Sequence, residues 1–175
     1  MRVVESGVAL SKLGNVSLGD VALSFGLAGA LHPDVLTGTV LVPHEVLRPD
    51  GTTLICDASL VAALERAARE LDLEPDARPM VTSPAMLTGA ERAAWSRRGY
   101  VGVDMETGLI RASRVAAVRV VLDTPQREIS ASWLRPGAAL IDVRAWRDLP
   151  WLAREGPRCA RLAAAVLAAA LRPSL

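Results

Sequence analysis

A chain of 175 residues can bury one hydrophobic core without disulfides or metals, and we expect a single domain over residues 1–175. The hydrophobic fraction of 51% and the charged fraction of 22% exclude a disordered or fibrous chain. A net charge of +1 provides no overall field that attracts nucleic acid or an anionic membrane. Two cysteines cannot form a disulfide framework or a zinc site, so we expect a reducing, cytoplasmic setting.

Membrane insertion is not expected from the apolar runs. The longest of them, at 162–171, is ten residues long, whereas a bilayer span needs roughly 20. The first residues also lack the basic start, apolar stretch and cleavage site of a signal peptide. We therefore expect no transmembrane segment.

The first half of the chain alternates apolar runs with turn signals and one helical pattern. Strands are predicted at 21–25, ended by Gly26, and at 39–42, with a turn between them at 36–39. A helix is predicted from an N-cap at Asp57 to about residue 71, because apolar residues recur there at helical spacing.

The second half continues the alternation. Strands are predicted at 79–82, 101–103 and 117–122, and a helix from the capping box that starts at Thr88 to Gly99. A short helix is predicted at 106–113, and two helical pieces at 149–171, broken around Gly156 and Pro157. Near-continuous apolar strands alternating with helices indicate an α/β fold with a sheet covered on both faces.

Three segments are predicted at the edge of this sheet, where α/β proteins bind ligands: 26–30, 104–107 and 123–125. The first is either a tight packing turn or a source of backbone N–H groups for a ligand. Asp104 is a helix N-cap or an acceptor for sugar hydroxyls, and Glu106 is a solvated residue or part of a site. Asp123 is a turn residue or, because burial raises a carboxyl pKa, a proton donor.

The same segments resemble the nucleoside phosphorylase superfamily. The resemblance is carried by Val-Gly-Val-Asp-Met-Glu-Thr-Gly at 101–108, by Val-Arg-Val-Val-Leu-Asp at 118–123, and by the glycine-containing segment 24–31 with 36–42. The sequence is most similar to the branch of 5′-methylthioadenosine/S-adenosylhomocysteine nucleosidases and futalosine hydrolases, and within it to the hopanoid-associated group. This implies a three-layer sandwich with a central mixed, mostly parallel sheet flanked by helices.

The resemblance also implies roles for individual residues. Glu106 would bind the ribose hydroxyls, with Met105 packed under the sugar. Asp123 would contact N7 of the purine as general acid, and Arg119 stands in the matching Arg-x-x-x-Asp pattern as a second catalytic residue. The remaining expected substrate contacts are Ala28, Gly29, Met86, a stacking partner of the purine, and Trp133, placed over the 5′ substituent.

The implied activity is cleavage of the N9–C1′ bond of an adenosine-type nucleoside, without cofactor or metal. His32 and His44 are expected to be surface residues rather than ligands. The first strand, loop and helix of the family have no counterpart before Val3, and they supply the phosphate loop of phosphorylases or the water-activating glutamate of hydrolases. Glu5 or a residue across a dimer interface is the expected replacement.

Three functions therefore remain open at the level of sequence. The first is a hydrolase acting on a small-molecule purine nucleoside, and the second is a phosphorylase of the same family, with phosphate as co-substrate. The third is a catalytically weakened protein that binds a nucleoside or adenine. A homodimer or higher oligomer is expected in each case, because a sheet that lacks its first strand exposes an edge.

Overall fold

The computed structural model describes residue 4, residues 19–130 and residues 143–172. Seven strands in these ranges form one sheet. They are β1 (Val21–Ala30), β2 (Val40–Leu41), β3 (Glu45–Leu47), β4 (Thr53–Ile55), β5 (Met80–Thr82), β6 (Gly102–Asp104) and β7 (Arg114–Asp123). The helices are α1 (Ala58–Arg69), α2 (Gly89–Arg97) and α3 (Val143–Ala170), with a 3₁₀ turn at Thr107–Leu109.

The strand order is β2-β7-β1-β6-β5-β3-β4, and the long strands β1 and β7 form its parallel centre. β1 also pairs with β6 in the antiparallel sense. Further parallel pairings join β3 to β5 and β5 to β6, and antiparallel pairings join β2 to β7 and β3 to β4. The expected mixed sheet is confirmed, with the two senses equally frequent among the described strands.

Helices cover both faces of this sheet, as the fold prediction required. Successive side chains of a strand point to opposite faces. Met80 packs into a large cluster that includes Leu64 of α1 and Ala163 of α3. Val81, the next residue of β5, packs instead into a smaller cluster beside Trp95 of α2. The molecule is thus layered as helices, sheet and helix.

The caps of α1 and α2 confirm the predicted helix starts. The Asp57 carboxylate accepts hydrogen bonds from the backbone N–H groups of Ser59 and Leu60 at 3.1 and 3.0 Å. At α2, the backbone N–H of Thr88 donates to the Glu91 carboxylate at 3.2 Å, which completes the predicted capping box. Both caps satisfy backbone donors that have no partner inside a helix.

The prediction that the first strand ends at Gly26 is wrong, because β1 continues to Ala30. Gly26 and Gly29 lie within β1 and allow close packing; they do not form a turn. A Cβ atom at Gly26 would lie 2.5 Å from Arg119 Nη1, and one at Gly29 would lie 2.9 Å from Asp123 Oδ1. Glycine is required where side chains of β7 press against the backbone of β1.

Two helix predictions are also wrong. The helix predicted at 106–113 is a single 3₁₀ turn, Thr107–Leu109, and residues 110–113 then lead to β7 without regular structure. The two helical pieces predicted at 149–171 form one helix, α3, that contains Pro150 and Pro157. Both prolines are on the exposed side, where carbonyls that lose a partner can bond to water, while buried residues such as Cys159 and Val166 hold the opposite side.

The hairpin of β3 and β4 was not predicted, because strands of three residues carry too little apolar periodicity to be recognised. Within residues 19–130 and 143–172, none of the helices combines the length and the apolar character that a membrane crossing requires.

Candidate active site

A cavity of about 340 Å³ opens beside the C-terminal halves of β1 and β7. Its walls are mostly apolar and include Leu27, Met86, Leu122, Ile129 and Leu152. Four charged residues also line it, namely Asp104, Glu106, Asp123 and Arg92. An apolar hollow with a few convergent polar groups is the usual form of a small-molecule site.

The strand order explains why residues distant in sequence meet here. β1 lies between β6 and β7, so Ala28 and Gly29 are flanked by the ends of both neighbours. The register of β1 and β7 shifts between Ala28, paired with Val121, and Gly29, paired with Asp123. Leu122 is the extra residue of this bulge, and it lines the cavity together with Asp123.

Asp123 is buried, and its Oδ2 atom accepts a hydrogen bond from Nη2 of Arg92. Burial raises the pKa of the Asp123 carboxyl above its ordinary value, although the Arg92 charge and hydrogen bond act in the opposite direction. Glu128 adds a second upward contribution to that pKa through its negative charge. The environment of Asp123 therefore favours retention of a proton, as a general acid needs.

Arg92 was not predicted from the sequence as a site residue. It lies on α2 and is 2% exposed. Its Nε donates to the Leu87 carbonyl at 2.8 Å and its Nη1 donates to the Ala30 carbonyl at 2.7 Å. Its position one residue after Glu91, in a helix of weak amphipathic pattern, gives no sequence signal that distinguishes it from the exposed arginines nearby.

Asp104, at the other end of the cavity, is bonded to several neighbouring side chains. Its Oδ1 accepts from the Thr82 hydroxyl at 2.6 Å. Its Oδ2 accepts from the backbone N–H of Thr107 at 3.1 Å, from the Thr107 hydroxyl, and forms an ion pair with Arg119 at 2.8 Å. Asp104 is not the helix N-cap weighed from the sequence, because Glu106 occupies that position of the 3₁₀ turn, but its bonds to Thr82, Thr107 and Arg119 engage both of its oxygens.

Glu106 lies between the hydrogen bonds of Asp104 and the cavity. Its carboxylate lines the cavity and lies 3.5 Å from Nη2 of Arg119. The same Nη2 donates to Ser24 Oγ at 2.7 Å and to Thr107 Oγ1 at 2.9 Å. Arg119 is 3% exposed and is not among the residues that line the cavity. Its contacts favour positioning of Glu106 over direct contact with a ligand.

The structure thus brings six of the eight expected site residues to one cavity, namely Asp123, Glu106, Met105, Met86, Ala28 and Gly29. Arg119 lies beside that cavity, and Trp133 and Glu5 lie outside the described residues. His32 pairs with Asp34, and His44 with Glu65 at 3.2 Å. In the described part of the chain, no group of three acidic, histidine or cysteine side chains is placed to hold a metal.

No protein-family model matches the sequence, and no curated protein matches it either. Solved structures do match the fold. The 5′-methylthioadenosine/S-adenosylhomocysteine nucleosidase of Neisseria meningitidis superposes with a TM-score of 0.65 and 18% identity, over 87% of this chain and 69% of that one. The futalosine hydrolase of Helicobacter pylori gives a TM-score of 0.61 and 15% identity, over 87% and 67%.

A purine nucleoside phosphorylase of Toxoplasma gondii gives a TM-score of 0.60 and 19% identity, over 92% of this chain and 64% of that one. Hydrolases and a phosphorylase therefore share one architecture with this chain. The chain has the nucleoside phosphorylase fold. Its cavity lies at the ends of the strands that carry the Asp-Met-Glu and strand-Asp motifs.

Proposed function

We propose that this chain is a purine nucleoside N-ribosyl hydrolase in which Asp123 is the general acid and Glu106 holds the ribose. The observation that carries the proposal is the shared cavity, because Asp123 and Glu106 come from opposite flanks of β1 and line the same hollow. Had the two carboxylates been on different faces of the sheet, one substrate could not contact both.

Asp123 has the environment that departure of the purine requires. When the C1′–N9 bond breaks, its electron pair moves to the purine, and a proton from the Asp123 carboxyl neutralises the leaving base at N7. Burial keeps that proton available by raising the Asp123 pKa. General acid assistance of this kind accelerates a reaction by about 10²–10⁴-fold.

Glu106 and Met105 would hold the sugar that the bond leaves behind. Glu106 is placed to accept hydrogen bonds from vicinal hydroxyls because it lies at the cavity wall, with Arg119 beside it at 3.5 Å. A fixed sugar presents C1′ to the attacking water in line with the departing base. As the C1′–O bond forms, that water releases a proton to solvent, and solvent returns a proton to Asp123. Met105 supplies apolar contact beneath the ring.

The purine would lie over Ala28 and Gly29, with Met86 against its face. These residues line the cavity next to Asp123. The absence of a Cβ at Gly29 leaves room for the Asp123 carboxylate, which a larger residue would displace. A flat, apolar surface beside one proton donor suits a purine that stacks and is protonated at its edge.

Water is favoured over phosphate as the nucleophile by the charges of the described cavity wall. Arg92 is the one cation among the described residues that line it, and its nitrogens bond to Leu87, Ala30 and Asp123. A phosphate dianion therefore finds no uncommitted cation among the described residues that line the cavity.

The test is release of free base from purified protein. Methylthioadenosine, futalosine and adenosylhopane are incubated separately, with and without phosphate, and products are separated by liquid chromatography. We expect a purine base from at least one nucleoside at a rate independent of phosphate. A phosphate-dependent rate would assign a phosphorylase, and no base from any of the three, with the protein shown to be folded, would contradict the proposal.

A second candidate, a protein that binds a nucleoside without cleaving it, is favoured by one observation. Oδ2 of Asp123 is already occupied by Arg92 in the described structure. If that pair persists with a ligand bound and keeps the carboxylate ionised, Asp123 accepts a hydrogen bond but donates no proton. Calorimetry that shows adenine or nucleoside binding, together with no released base, would select this candidate.

A further inference from the structure

Arg92 makes contacts that reach beyond the packing of its own helix. Its guanidinium joins the carbonyl that precedes α2, Leu87, to the end of β1 at Ala30 and to Asp123 at the end of β7. Three donors in fixed directions thus contact three elements, in the planar arrangement that distinguishes arginine from lysine. The side chain is 3% exposed, so these bonds are formed away from water.

We propose that Arg92 is a positioning residue for Asp123, which it holds by Oδ2 so that Oδ1 is the oxygen that delivers the proton. This inference rests on the proposed function for its chemical meaning, and on geometry for its support. With Oδ2 engaged by Arg92, Oδ1 lies over Gly29, a cavity-lining residue whose missing Cβ makes the space.

Glu128 contacts both Arg92 and the first residue of α2. It lies in the segment after β7, with its Oε1 atom 3.5 Å from Arg92 Nε. The same oxygen accepts a 2.6 Å hydrogen bond from the backbone N–H of Gly89, the first residue of α2. Glu128 therefore fixes the start of the helix that carries Arg92 and partly balances the Arg92 charge.

Arg92 and Glu128 have opposite effects on the pKa of Asp123. Arg92 lowers the pKa of Asp123, whereas the negative charge of Glu128 raises it. The other ionisable groups of the cavity wall are Asp104 and Glu106, and Arg119 lies next to both. Removing Arg92 should therefore raise the Asp123 pKa, and removing the Glu128 charge should lower it.

The experiment measures the Asp123 carboxyl directly and needs no turnover. Carboxyl groups are titrated by ¹³C NMR in wild type, Arg92→Met and Glu128→Gln, and the Asp123 signal is identified by its loss in Asp123→Asn. Arg97→Met is the matched control, because Arg97 is an exposed arginine of the same helix. If Arg92→Met does not fold, Arg92→Gln, which keeps an amide donor, takes its place.

The expected titration midpoint moves to higher pH without Arg92, to lower pH in Glu128→Gln, and is unchanged in Arg97→Met. Folded variants that leave the Asp123 midpoint in place would overturn the inference. Activity adds a second readout, because the limb at which kcat/KM falls with rising pH reports loss of the acid proton. That limb should move with the titration midpoint.

Arg92→Lys separates position from charge. Lysine keeps the positive charge but cannot reach Leu87, Ala30 and Asp123 together, so the pH limb should stay near its wild-type place while kcat falls by about 10²-fold. An unchanged kcat would show that Arg92 does not position Asp123. Wild type that releases no base contradicts the proposed function, whereas the NMR titration still decides whether Arg92 and Glu128 control Asp123.

Discussion

The two ends of the cavity each combine a buried arginine with carboxylates, but they use them differently. At one end, Arg119 of β7 and Asp104 of β6 meet across the intervening strand β1, and Asp104 is bonded to Thr82, Thr107 and Arg119 at once. At the other end, Asp123 is paired with Arg92, which reaches it from a helix on one face of the sheet.

The difference separates a carboxylate that holds structure from one suited to exchange a proton. Asp104 has both oxygens engaged, Oδ1 by Thr82 and Oδ2 by Thr107 and Arg119, which is typical of a carboxylate that holds structure. Asp123 has burial as the largest influence on its pKa, in the direction that favours the neutral acid. Chemistry is therefore expected at the Asp123 end, and rigidity at the Asp104 end.

The largest expected effect is on catalysis in Asp123→Asn. The amide keeps the shape of the side chain but has no acidic proton to give, so kcat should fall by about 10²–10⁴-fold. Base release measured under saturating nucleoside checks it. Thermal melting is the control, because removal of the carboxylate leaves the buried Arg92 with its two carbonyl partners. Retained activity in a folded variant would show that Asp123 is not the general acid.

Asp104→Ala should act on stability instead. The change leaves Arg119 buried without its strongest partner and removes the acceptor of Thr82 and Thr107. Loss of one member of a buried pair costs about 3–5 kcal/mol of unfolding free energy. Urea denaturation checks this value.

Glu70→Ala is the matched control for Asp104→Ala, because its pair with Arg66 is long, at 3.9 Å, and exposed. We expect no measurable change in that variant, since exposed pairs contribute little. If Asp104→Ala were as stable as this control, the structural role assigned to Asp104, and with it the contrast with Asp123, would be contradicted.

The sequence allowed the acidic residues to be predicted but not their partners. Asp123 and Glu106 lie in recognisable motifs directly after apolar strands, and the fold follows from the alternation of those strands with helices. The pairing of Arg92 with Asp123 depends on tertiary packing, because the two residues are far apart in sequence and meet only when α2 packs beside the end of β7. The role of the glycines was also misjudged, since local patterns do not distinguish a turn from a close approach of side chains.

Gly29→Ala tests the close approach at the Asp123 end with a single methyl group. The added Cβ would lie 2.9 Å from Asp123 Oδ1 and 3.3 Å from both terminal nitrogens of Arg92, so the pair must shift. A displacement of that kind is expected to lower kcat by up to about 10²-fold.

Gly156→Ala is the matched control, because apart from its chain neighbours and its own helix nothing lies within 4 Å of the new Cβ in α3. It should leave activity unchanged, since Gly156 is not among the residues that line the cavity. Equal activity in both variants would show that the Gly29 contact is unimportant for catalysis.

The smallest effect is the pH dependence of stability that arises from Asp123 itself. Because burial raises its pKa, the folded chain holds this proton to higher pH than the unfolded chain does. The stabilisation is fully present below the ordinary aspartate pKa of about 3.9 and is lost as pH rises through the folded value. The amide of the Asp123→Asn variant cannot titrate, so the unfolding free energy of wild type minus that of the variant should decrease with rising pH. A difference that grows with pH would mean that Arg92 outweighs burial, and Asp123 would then no longer be the carboxyl suited to donate a proton.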